Sequence, residues 1–173
     1  MHTLKAIPPD AVPAALEKAL RYRLLNEPLE AESICRDVLL IDADNQEALV
    51  TLLLALTDLF DDEYVAALER AKAVLPQLEG AYEQAYYEGI IYERWAKAET
   101  AKHVPRHVLD GWYLHAMRCF EKAEALAEPD NPDAILRYNT CTRQLERHAD
   151  SPTHESDLLH DVESEFADEA PQR

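Results

Sequence analysis

The chain is poor in glycine, in positive charge and in long apolar runs. Its three glycines, Gly80, Gly89 and Gly111, are scattered, so no Gly-rich loop is present to cradle phosphate, and nucleotide fingerprints of the Walker or dinucleotide type have no place in it. Lys and Arg number 17 against 34 Asp and Glu, a formal net charge of -17. A nucleic-acid binder draws most of its affinity from a basic surface that displaces counterions, which argues against DNA, RNA and anionic membranes as partners. No stretch approaches the roughly 20 apolar residues of a bilayer span, and the opening MHTLKAIPPD lacks the apolar centre of a secretion signal; a cytoplasmic protein is expected. Cys35, Cys119 and Cys141 show no CxxC spacing and read as reduced thiols. There is no GxSxG turn, and no Ser or Cys has a His placed by a recognisable motif, so no enzyme and no cofactor are expected.

What is present favours helix. Apolar residues make up 47% of the 173 positions, enough for a core without a disulfide or metal staple. Overlaying the chain on itself exposes a repeat. Ala15, Ala19 and Tyr22 are followed 34 residues later by Leu49, Leu53 and Leu56, and those 36 residues later by Ala85, Gly89 and Tyr92. The four-then-three spacing within each triplet is one helical face. A second set runs Ala31, Cys35, Val38, then Ala67, Ala71, Val74, then Ala116, Phe120, Ala123, and marks the partner helix of each hairpin. Small residues at the crossings let two helix backbones approach closely.

Punctuation agrees with this division. Asp10 and Pro13 suit the start of the first helix, and its partner follows Asn26-Glu27-Pro28. Asp42 to Asn45 offers capping oxygens to the third helix, Asp61-Asp62 to the fourth. Leu75-Pro76 to Gly80 closes the second unit, and Glu128 to Pro132 the third.

With a unit near 34 residues, and small residues and an aromatic at these positions, the chain resembles the tetratricopeptide-repeat family. The stretch from Val12 to Asn45 matches it in full; in the second unit Leu53 and Leu56 replace the small and aromatic residues. The resemblance implies an all-α fold, a right-handed superhelix of three hairpins with repeats near 12–45, 46–79 and 81–129 inside a domain from 10 to 148, after an N-terminal extension over 1–9. The third unit carries 13 more residues between its triplets than the second, around 101–105, which predicts long helices near 82–102 and 106–126. Ala134, Tyr138, Cys141 and Leu145 continue the spacing and predict a capping helix over 132–148. Residues 149–173, with eight acids from Asp150 to Glu169 against Arg173, read as a mobile acidic tail. Within it Leu158, Leu159, Val162 and Phe166 are placed to form an apolar face that docks on another copy, making a homo-oligomer.

In this family the first helix of each repeat lines a concave groove. Carried over, that selects Leu16, Leu20, Arg23 and Leu24, then Val50, Leu54, Thr57 and Asp58, then Tyr86, Ile90, Glu93 and Arg94. The stripe suits a protein or peptide partner, basic or amphipathic given the acidic field. The subclass that clamps chaperone C-terminal tails needs cations where this chain has Leu16, Leu20, Thr51, Glu83 and Tyr87, so that ligand is not expected. Trp95 and Trp112, at comparable distances from the turn at Pro105, are expected to pack on each other, with a second interface as the alternative. His103, His107, His115 and Cys119 are the metal candidates, the last two at i and i+4; with only an i,i+4 pair on one face they are read as packing or facing solvent, and no metal is expected. Glu88 and Glu93 are read as part of a solvated acidic face. The functional expectation is an interaction scaffold; the alternatives are a client chaperone of the small three-repeat secretion type and a metal protein using the His103 to Cys119 region.

Overall fold

The computed structural model describes residues 2–61, 64–100, 102 and 104–150, and the described residues are all helix and connection. Seven α-helices follow one another: α1 (Val12–Leu24), α2 (Pro28–Leu39), α3 (Gln46–Asp58), α4 (Tyr64–Val74), α5 (Ala81–Thr100), α6 (Arg106–Glu124) and α7 (Asp133–Asp150). Each packs on its neighbour in sequence, and in addition α1 touches α3, α3 touches α5 and α5 touches α7. The odd-numbered helices therefore form a continuous layer. No described helix is long and apolar enough to cross a membrane.

Most positions of the repeated triplets lie in the core. Ala19, Ala31, Cys35, Leu49, Leu53, Leu56, Ala67, Ala71, Val74 and Trp95 share one buried cluster, and Ala85, Ala116, Phe120, Ala123, Ala134 and Cys141 a second. Full burial of a Leu, Val or Phe side chain is worth about 1.5–3 kcal/mol. The glycine of the third hairpin has a specific partner: a Cβ on Gly89 would come within 2.5 Å of the Phe120 ring. Two long helices cross there only because α5 has no side chain at that point.

The ends follow from turn chemistry. Asn26 takes a left-handed φ of 60° and Pro28 opens α2, while Gly80 turns the chain into α5 at φ 87°. The Ala48 amide donates to Asn45 Oδ1 at 3.0 Å, capping α3. The start of α1 differs from the sequence expectation. A 3-10 turn over Pro9–Ala11 comes first, held by the Ala11 amide donating to Pro8 carbonyl at 2.9 Å, and no side chain caps α1. The long pair is shorter than the sequence spacing implied, ending at Thr100 and Glu124. The acidic tail's residues 151–173, with its proposed apolar face, lie outside the described residues, as do Asp62 and His103.

Candidate functional site

The layer of odd-numbered helices is tied together by charge. Asp58 near the end of α3 receives Arg23 Nε from α1 at 2.8 Å and the Arg94 guanidinium from α5. These residues are 35 and 36 positions apart, so one place in the repeat meets its counterparts in both neighbours. Arg94 also donates to Thr57 Oγ1 at 2.9 Å, and that hydroxyl donates to the Leu54 carbonyl at 2.7 Å. One helix turn is thereby committed to holding two arginines.

Between α5 and α7 the link is Arg137 to Glu93 at 3.2 Å. The two ends of this pair strike opposite balances. Burial lifts the Glu93 carboxyl above the usual carboxylate range, with Arg137 and Arg94 only partly offsetting it. Burial works against the charged Arg137, but Glu93 and the Tyr86 hydroxyl outweigh it and raise its pKa. The asymmetry has a simple source, since the Glu93 side chain is 9% exposed and that of Arg137 35%. Glu93 is therefore no part of a solvated acidic face, contrary to the sequence expectation: α7 covers it.

The sequence-selected groove residues divide into three environments. Leu16, Thr57, Ile90 and Glu93 are buried; Leu16 packs with Val38 and Ala48 beneath α1, and none of the four offers surface to a partner. Arg23, Val50, Leu54, Asp58, Tyr86 and Arg94 are half-buried. Leu20 and Leu24 are exposed, at 39% and 89%. The accessible part of the stripe is thus apolar on α1 and becomes aromatic on α5, where the Tyr82 and Tyr86 rings stack at 5.7 Å and Asn131 donates to the Tyr82 hydroxyl at 2.9 Å. Sequence reasoning missed Arg137 and Tyr82. The signal for Arg137 was available in the α7 apolar spacing, which already placed that helix beside α5.

Trp95 is buried edge-on between Phe60, at 5.4 Å, and Trp112, at 6.0 Å. The pair packs on itself, as the residue spacing led us to expect. As a second interface it would have only the half-buried Trp112 to present.

A second constellation lies along the long hairpin. His115 and Cys119 of α6 face Glu88 of α5, and their donor atoms all lie within 4.8 Å of one another. His115 Nε2 is 3.3 Å from Glu88 Oε1, and the imidazole lies against the Tyr92 ring with centroids 3.9 Å apart. Burial and the neighbouring Glu88 push the Cys119 thiol up to about 12; burial does the same to Cys35 and Cys141. His107, in the first turn of α6, is exposed. The structure thus keeps two of the four sequence-selected metal candidates together and adds Glu88. That residue was missed because its 27-residue separation from His115 becomes contact only through the register of the hairpin.

An open cavity of about 510 Å³ lies over α2, α3 and α4, floored by Leu49, Leu52 and Leu56 and rimmed by Arg36, Asp37 and Arg70. Set against known proteins, the chain matches no family model, no curated protein and no solved structure.

Proposed function

We propose that the protein is an interaction scaffold, not an enzyme, built as a right-handed superhelix of three tetratricopeptide-type hairpins with α7 as cap. On this reading the odd-numbered helices line the concave side and hold a protein or peptide segment. The observation that carries it is the Arg23–Asp58–Arg94 chain. Ion pairs between corresponding positions of α1, α3 and α5 are what a stack of equivalent units produces, since each unit meets only its neighbours. Beside that chain run Leu20, Val50, Leu54 and Tyr86, an apolar and aromatic strip of the kind that anchors alternate side chains of a peptide.

The charge of the strip refines the partner. Its arginines are largely neutralised by Asp58 and Glu93, so the strip itself selects by shape and apolar contact, while the net charge of -17 steers a basic or amphipathic segment toward it. Photo-crosslinking in native lysate from position 54, and separately from exposed positions of α2 and α4, with the crosslinked residues mapped, tests the reading. A single extended segment, lost when Leu20 and Leu24 are both changed to Asp, is the expected result. Capture that survives this double substitution, or that maps instead to the outer helices α2 and α4, sinks it.

A further inference from the structure

We propose that Glu88, His115 and Cys119 form a binding site for a single zinc ion, bridging α5 to α6. The donor set is the first argument. A thiol, an imidazole and a carboxylate are the three side-chain types that zinc accepts, whereas calcium and magnesium take oxygen donors. Thiolate with imidazole selects borderline-soft first-row ions.

Geometry is the second argument. Nitrogen and oxygen ligands at about 2.0–2.1 Å in a tetrahedron are about 3.3 Å apart, and Nε2 and Oε1 stand 3.3 Å apart. The sulfur lies within 4.8 Å of both, so it needs to draw in by at most about 1.3 Å to reach its own tetrahedral edge of about 3.5 Å. Side-chain rotation of the partly exposed Glu88 and His115 supplies that movement without moving a helix. Both ligand-bearing helices are long and packed on each other, and the Tyr92 ring lies against the imidazole, so the helices hold the three side chains near one another and rotation of Glu88 and His115 completes the site.

Accessibility is the third. The His115 and Glu88 side chains are 35% and 39% exposed, so an ion has a path in and the fourth position opens to water or to a ligand from a bound partner. Binding exchanges the Cys119 S–H for an S–Zn bond and releases the proton to solvent. Before the ion arrives, Glu88 accepts from His115 or Cys119 and keeps the donors together. The acidic molecule raises the local concentration of cations around this opening.

The test is titration of chelator-stripped full-length protein with zinc(II) alone against a chromophoric competitor, followed by cobalt(II) as a spectroscopic stand-in. Expected are one zinc per chain, a raised thermal midpoint with zinc, and a thiolate-to-cobalt charge-transfer absorption. Glu88→Gln, His115→Gln and Cys119→Ser should each weaken zinc by at least about tenfold, whereas Cys35→Ser and Cys141→Ser leave the stoichiometry intact. Should the buried Cys119→Ser variant not fold, the cobalt spectrum of the unaltered protein and the two half-exposed variants decide. No stoichiometric zinc, no thiolate signature, or affinity that Glu88→Gln and His115→Gln leave unchanged overturns the site.

Discussion

The first four helices and the last three solve the same packing problem with different materials. α1 to α4 are 11–13 residues long, and where they cross the core is Ala, Cys, Leu and Val. α5 and α6 run to 20 and 19 residues, and the core they share with α7 is edged by Tyr82, Tyr86, Tyr87, Tyr92 and Tyr138 around Phe120. The middle members of the paired triplets show how one plan accommodates both. They are Ala19 with Cys35, Leu53 with Ala71, and Gly89 with Phe120: two small residues in the first hairpin, and a large residue paired with a small one in the second and third. The second and third hairpins thus place similar total volume at the crossing with the large residue on opposite helices, and the first fills it with two small residues.

That rule breaks most visibly at Phe120. Truncating this fully buried ring by Phe120→Ala should cost about 3–5 kcal/mol, and Gly89→Leu alone about 1–3 kcal/mol, because the added side chain meets the ring. Combined, they recreate the second hairpin's large-on-first, small-on-second arrangement. Urea unfolding should show the double variant more stable than Phe120→Ala alone. Costs that simply add would mean that volume exchange at the crossing is not what makes the two halves alike.

The halves also differ in how they are tied. Asp58 joins three odd-numbered helices through two arginines, whereas between α5 and α7 Arg137 meets Glu93 and the Tyr86 hydroxyl. Asp58→Asn keeps the shape but halves the acceptor capacity and removes the charge between Arg23 and Arg94. With the Asp58 side chain 22% exposed, a loss of about 1–2 kcal/mol is expected. Hydrogen exchange should then speed up at the ends of α1 and α3 and leave α6 and α7 unaltered. A uniform acceleration would show that the charge chain ties the whole molecule and not α1, α3 and α5 alone.

Much of this was legible in the sequence, for a physical reason. Helix crossings demand small or complementary residues at fixed spacing, so Ala15, Ala19, Tyr22 and their counterparts betray the hairpins before any coordinates. Asn45, Pro28 and Gly80 betray the ends because capping and positive φ are local demands. The burial of carboxylates is not local. Glu32 is paired locally with Arg36, four residues on, and also with Arg70, 38 residues on, at 2.8 Å, while Glu93 is met by Arg137, 44 residues on, at 3.2 Å. The i,i+4 spacing announces Arg36, but no spacing within one helix announces Arg70 or Arg137. The same holds for Glu88 beside His115, and for Leu16 and Ile90, whose apolar character fits a groove and a core equally well.

The smallest effect expected is a dependence on pH arising at the Glu93–Arg137 tie. Glu93 has its pKa raised above the ordinary 4.5 chiefly by burial, with Arg137 next and opposing. The folded protein therefore holds the Glu93 proton to higher pH than the unfolded chain does. The stabilising contribution of this linkage is fully present below about pH 4.5 and is lost as pH rises through the folded value. Glu93→Gln stays neutral throughout and lacks that slope. Thermal midpoints of the two proteins measured from pH 4 to about pH 7 should diverge in one direction, the native protein losing ground to the variant as pH rises and the gap then levelling. A gap that moves the other way would mean that the Arg137 pairing outweighs burial at this carboxylate.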